Sequence, residues 1–135
     1  MALEFASDEW AKALMAALKT SPGYQDAAKK WEGDLTFIIE AEGGLSEPRY
    51  IYLDLWHGDC RDAFAMSSLD EKDSEFKLNA PYGIWKDVIQ GRLDPIKGIT
   101  RGKLKVKGPM LKIVKSPKAA LELVKSAGQL DTEFP

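Results

Sequence analysis

The sequence predicts an α+β fold, a mostly antiparallel sheet of about five strands with about five helices packed on one face. Three observations carry this. Apolar residues recur at helical spacing early in the chain, alternate strictly from Leu35 onward, and return to helical spacing after Pro81. The strand segments alternate apolar and polar rather than running apolar throughout, so helices are expected on one sheet face only. Short turn signals separate the first three strands, as in an antiparallel meander.

Ser7 offers a capping hydroxyl and Asp8 and Glu9 supply acidic charge, both favourable at a helix N-terminus. Trp10, Ala13, Leu14, Ala17 and Leu18 form the buried face of that first helix. Ser21-Pro22 starts a second helix with Tyr24, Ala27, Ala28 and Trp31 on one side. Residues 35–42 then alternate, with Leu35, Phe37, Ile39 and Ala41 inward. Gly43-Gly44 and Pro48 turn the chain into a strand at 49–56, where Ile51, Leu53 and Leu55 oppose Tyr50, Tyr52, Asp54 and Trp56. Gly58-Asp59 supplies the next hairpin turn, and residues 60–66 make a third strand with Phe64 and Met66 on a shared face.

The run 67–73 is too charged to bury and is expected to be a loop. Residues 74–80 give a further strand with Phe76 and Leu78 inward. After Pro81, Tyr82, Trp85, Val88 and Ile89 line one face of a helix that Gly91 ends. Asp94-Pro95 opens a short helix bearing Ile96 and Ile99. Residues 102–108 alternate, Leu104 and Val106 against Lys103, Lys105 and Lys107. Residues 109–114 are apolar and helical. Ser116-Pro117 caps a last helix with Ala120, Leu121 and Val124 on one side and a stop at Gly128.

With 135 residues, 44% apolar and 30% charged, the chain suits a single domain over residues 1–135 built on one core. A net charge of -2 gives no global basic excess for nucleic acid. No stretch approaches the ~20 apolar residues of a membrane span. Glu4, Asp8 and Glu9 stand where a secretory signal would be basic and then apolar. The single cysteine, Cys60, has no internal partner, so a cytoplasmic setting is expected.

Catalytic candidates gather at the hairpin from His57 to Asp62. A cysteine near a histidine can be an activated nucleophile, and His57 with Asp54, Asp59 or Asp62 can ligate a metal. The competing reading is a solvated turn, which collects polar residues for conformational reasons. One histidine and one cysteine make no zinc set of the usual kind, and no phosphate-binding or nucleophile-elbow glycine motif occurs. No catalytic residue, metal or cofactor is therefore assigned. The lysine row Lys103, Lys105 and Lys107, with Lys112, Lys115 and Lys118 nearby, suits an anionic head group or membrane surface; it equally suits the wet face of an edge strand, the favoured reading.

The C-terminal half holds an apolar surplus on short, glycine-broken helical pieces. Such pieces build a dense core poorly and serve better as movable walls over a cavity. The order of segments also carries a resemblance. The stretch from Tyr82 to Pro95 (YGIWKDVIQGRLDP), followed by Gly102 to Gly108 (GKLKVKG), resembles the signature of the sterol carrier protein type 2 family, as do residues 31–37 (WEGDLTF) and the meander through Tyr50, Leu53 and Gly58. The similarity spans roughly residues 10–130.

This resemblance implies a five-stranded sheet, helices on one face and a hydrophobic tunnel between them. It implies binding and transfer of a lipid without catalysis: a fatty acid, acyl-CoA or sterol-like molecule. The lining implied here is Phe37, Ile39, Leu53, Phe64 and Phe76 from the strands, and Trp85, Val88, Ile89, Ile96 and Ile99 from the helices. Met110, Leu111, Val114, Leu121 and Val124 would form a C-terminal lid. The last residues, TEFP, differ from the Ser-Lys-Leu address of peroxisomal members, so a fatty acid is the preferred ligand. A monomer or weak dimer with transient membrane contact is expected. Two alternatives remain open: a protein-interaction module with a filled cavity and an aromatic interface of Tyr50, Tyr52 and Trp56, and an enzyme or enzyme-accessory domain using Cys60 or His57.

Overall fold

The structure, a computed structural model, describes residues 2–135. In chain order the elements are β1 (Leu3–Glu4), α1 (Asp8–Lys19), α2 (Pro22–Ala27), β2 (Glu32–Glu40), β3 (Arg49–Trp56), β4 (Asp59–Met66), a 3-10 turn (Leu69–Glu71), β5 (Phe76–Pro81), α3 (Tyr82–Ile89), α4 (Pro95–Thr100), β6 (Lys105–Lys107), α5 (Met110–Val114), α6 (Pro117–Gly128) and β7 (Thr132–Glu133).

The main sheet runs β4-β3-β2-β5-β6. Three of its four pairings are antiparallel, and β2–β5 is parallel. The parallel pair follows from the connection after β4. That segment carries too much charge to bury, crosses the sheet face opposite the helices, and delivers β5 beside β2. On the way the Ser74 and Thr36 hydroxyls meet at 2.7 Å, the Glu75 amide donates to Asp34 at 2.7 Å, and Lys72 lies over the Tyr52 ring. Tyr52 is only 4% exposed as a result, and its hydroxyl donates to Asp34 at 2.8 Å. The expected aromatic interface is thus partly filled by the chain itself.

Three helix starts obey their capping residues. The Ser7 and Ser21 hydroxyls accept from the Trp10 and Tyr24 amides, and Asp94 accepts from Ile96 and Lys97. Helix α1 buries Trp10, Ala11, Leu14 and Leu18. It also protects the free edge of β4, where Asp8 accepts from the Ala65 amide at 3.0 Å and Lys12 donates to the Ala63 carbonyl. These bonds occupy part of an edge that would otherwise be open to pairing with another chain. A short parallel ribbon, β1 with β7, joins the two ends, and the Trp10 indole donates to Thr132 at 3.1 Å beside it. Nothing in the alternation of so few residues announces that ribbon.

Several expectations shift by a residue or a face. The second helix stops at Ala27, so Trp31 lies beyond it. The ladder shifts register between Asp54 and Leu55. This puts Cys60 and Ala63 on the helix side and sends Phe64 to the opposite face, where its ring meets Tyr52 at 5.0 Å. The 102–108 strand shortens to three residues at the sheet edge. Ser116 holds the cap position of α6 without a side-chain hydrogen bond. Helix α6 buries Ala119, Leu123, Ser126 and Ala127, leaving Leu121 outward. Its apolar stripe is wide, and Leu121 lies one step beyond the rim.

The turn between β3 and β4 centres on His57 (φ 50°) and Gly58 (φ 82°). Positive φ at both central positions marks the tight hairpin turn that matches strand twist. A Cβ on Gly58 would stand 2.6 Å from the Gln25 carbonyl oxygen, so strain and collision coincide. Gly58→Ala should lower stability by about 1–3 kcal/mol, seen as a reduced urea midpoint with unchanged slope. His57→Asn, which tolerates the same backbone and loses an exposed pairing with Glu32 and an exposed stack on Trp56, should change stability by about 1 kcal/mol or less.

Candidate functional site

An apolar cavity lies between the inner sheet face and the helices that follow β5. Its floor is Leu35 and Phe37 of β2, Leu55 of β3 and Leu78 of β5. Tyr24, Trp31, Trp85, Val88, Pro95, Ile99 and Leu104 form the sides. The roof is Ile113 of α5, Ser116, and Ala119, Ala120, Leu123 and Val124 of α6. The enclosed space is about 70 Å³, within a recess of about 630 Å³ counting the part open to solvent.

None of these lining residues is ionisable in the neutral range. Both indole N–H groups are used up on backbone: Trp31 donates to Gly33 and Trp85 to Ile38, each at 2.9 Å. The rings therefore show only apolar faces inward, and Trp85 packs on Phe37 with centroids 4.7 Å apart. Two hydroxyls remain, those of Tyr24 and Ser116. Burial pushes the Tyr24 phenol above its ordinary value, with the nearby Cys60 and Asp59 adding to the effect, so it stays neutral. A wall without charge suits apolar matter.

Of the residues expected to line a tunnel, Phe37, Trp85, Val88, Ile99 and Val124 do border this cavity. Ile39, Leu53 and Ile89 are buried in the surrounding core. Phe76 is also buried, stacked behind Trp31 at 5.3 Å. Phe64 lies on the opposite sheet face. Ile96 and Val114 are half-buried and outside the lining, and Met110, Leu111 and Leu121 point to solvent. The missed lining comes largely from Leu35, Leu55, Leu78, Ile113, Ala119 and Leu123. The strand alternation already marked Leu35, Leu55 and Leu78 as inward; what it lacked was which end of the sheet is left unfilled.

The candidate residues of the hairpin lie in different settings. Cys60 is fully buried, and its thiol faces the Asp62 carbonyl at 3.3 Å. Burial, with the charge of Asp59 second, pushes the thiol up to about 12, far from a thiolate. His57 is exposed, held 2.6 Å from Glu32 and stacked on Trp56 at 5.1 Å. Among the described residues no three His, Cys, Asp or Glu side chains converge as metal ligands.

The family model described as the SCP-2 sterol transfer family matches residues 11–119. The chain belongs to that family. Among solved structures, a crystal structure of sterol carrier protein 2 is 34% identical, with a TM-score of 0.85 over 94% of this chain and 99% of that one. A conserved protein from Thermus thermophilus is 33% identical, with a TM-score of 0.87 over 96% and 92%. Sterol carrier protein-2 from Aedes aegypti, solved with the C16 fatty acid palmitate, shares the fold at 18% identity and a TM-score of 0.55 over 92% and 98%. No curated protein matches the chain. Membership in the SCP-2 family supports lipid binding or transfer as its general activity. No described helix is long and apolar enough to cross a membrane.

The buried thiol gives a direct check. In native protein at pH 8, iodoacetamide should leave Cys60 unmodified and should alkylate it fully in urea. The folded thiol titrates near 12 and the unfolded one near 9, so its stabilising share is present below pH 9 and is lost between 9 and 12. Cys60→Ala should flatten the fall of stability over that window, followed by urea unfolding at stepped pH.

Proposed function

We propose that residues 1–135 act as one lipid-binding domain that holds a single fatty-acid chain in the cavity and passes it on unchanged. The observation that carries this reading is the uncharged lining, seventeen side chains without a carboxylate, amine or free thiol. The palmitate held by the mosquito protein of the same fold supports a chain of that size. The single buried cysteine suits a reducing compartment such as the cytoplasm.

Ligand sites that enclose a drug-sized molecule span about 300–1,000 Å³. The enclosed 70 Å³ is too small for an acyl chain, so this reading requires the cavity to widen on binding. Admission of an acyl chain therefore displaces the roof, α5 and α6, away from the sheet and turns the cavity into a tunnel. The energetics permit it. Burying a ~16-carbon chain gains roughly 13 kcal/mol at ~0.8 kcal/mol per methylene. Association costs about 4 kcal/mol or more. Even after a modest cost for opening, the remainder reaches about -8 kcal/mol, a micromolar Kd.

Native mass spectrometry of protein purified without added lipid should show a co-bound fatty acid, and a fluorescent C16 fatty acid should bind at micromolar concentration or tighter. Ala120→Phe, projecting from the half-buried roof into the cavity, should weaken probe binding at least about tenfold while circular dichroism stays unchanged. Absence of both co-purified lipid and probe binding in the parent protein would overturn the proposal.

A further inference from the structure

Charge is distributed unevenly along this chain. Between Asp94 and Glu122 there are eight Lys and Arg and no Asp or Glu; the rest carries eleven against 21. A protein of net charge -2 thus confines its positive excess to the segment holding α4, β6, α5 and the start of α6. Of these eight cations only Lys112 joins an ion pair among the described residues, with Glu75 at 3.3 Å. Elsewhere seven of the eleven cations, Lys12, Lys19, Lys29, Arg49, Arg61, Lys77 and Arg92, have carboxylate partners. Lys107 even stands directly opposite Lys77 in the β5–β6 ladder, a like-charge pairing that a sheet ordinarily avoids.

The same segment breaks the rule for apolar side chains. Leu111 is 69% exposed, Leu121 47% and Met110 45%, the three most open large apolar side chains among the described residues. Met110 and Leu111 share their helix with cavity-lining Ile113, and Leu121 lies one turn from cavity-lining Val124. Edge protection accounts for Lys103, Lys105 and Lys107 on β6. It does not account for Lys115 and Lys118, for the missing carboxylates, or for bare leucines on the adjoining helices.

We infer that the β6–α5–α6 edge is a docking surface for an anionic lipid bilayer, with Met110, Leu111 and Leu121 inserted among the acyl chains and the unpaired lysines on the head groups. Apolar side chains in a cationic setting suit an interface that is negative outside and apolar beneath. An acidic protein or a polyanion would satisfy the lysines but leave those three side chains unexplained. The surface adjoins the cavity roof, so docking would bring the lipid site to the membrane; in this it deepens the lipid-binding proposal.

Sedimentation with vesicles tests it, using phosphatidylcholine with about 30% phosphatidylserine against phosphatidylcholine alone. The parent protein should bind the anionic vesicles and not the neutral ones, with binding weakened by salt. Each lysine near an anionic surface is worth roughly a fivefold change in partitioning, so K103E/K105E/K107E should lose at least about a hundredfold. M110S/L111S, with every charge kept, should lose about tenfold or more. Circular dichroism checks the fold of both. Ala120→Phe should dock like the parent protein, which separates failure of docking from failure of fatty-acid binding. Equal binding to both vesicle types, or no binding, overturns the inference. So does loss on charge reversal without loss in M110S/L111S, the mark of a soluble polyanion site.

Discussion

Half of the sheet's inner face is sealed and half is not, and helix length makes the difference. Over β3 and β4 lies α1, twelve residues long, with Trp10, Leu14 and Leu18 fully buried. Over β2 and β5 lie α3 with eight residues, α4 with six, α5 with five, and the start of α6. A helix of one or two turns presents only a few inward side chains. From α4 and α5 these are chiefly Ile99 and Ile113, beside the small Ala119 and Ala120 of α6. A floor of Leu35, Phe37, Leu55 and Leu78 therefore meets a thin roof. The cavity is the remainder of that mismatch, and every functional statement about the protein depends on it.

Capping differs across the helical layer. Helices α1, α2 and α4 begin on side-chain caps, whereas α3, α5 and α6 begin without one. Caps contribute about 1 kcal/mol each, so their absence lowers the cost of displacing a short helix. The main polar restraint on α5 is Lys112, which donates to the Glu32 carbonyl, pairs with Glu75, and lies over the rings of Trp31 and Phe76. That restraint sits partly in solvent, where an ion pair holds weakly. Displacing this short helix would break few strong polar contacts.

The two halves of the molecule differ in how far the sequence reveals them. Where an element is long and one-sided, as in α1, β3 and α3, alternation or helical spacing gives both its limits and its buried face. Where it is short, the pattern fails for a physical reason. Residues 110–114 are apolar on nearly every side, and a single turn cannot bury Met110, Leu111, Ile113 and Val114 together. Leu121 is similar, since Ala119, Ala120, Leu123 and Val124 already complete the inward stripe. Phe64 misleads differently. Its alternation is sound, but a register shift at Asp54 and Leu55 decides which face it takes, and a bulge leaves little mark in composition. Ser116 resembles a cap, yet its hydroxyl position borders the cavity. Each misreading arose where tertiary geometry chose between locally equivalent options.

The most exposed large apolar side chains and the densest run of cations without ion pairs fall on one segment. Burial would have claimed Met110, Leu111 and Leu121 had α5 and α6 been longer or deeper set. Carboxylates would have neutralised the lysines had the segment followed the rest of the chain. Stability favours both changes, because exposed leucines gain nothing in water and unpaired cations repel one another. A single environment, apolar below an anionic surface, reverses both costs at once. The thin roof that leaves room for a ligand is therefore the same structure whose outer side is poorly suited to water, and the two properties share one cause in the brevity of the helices after β5.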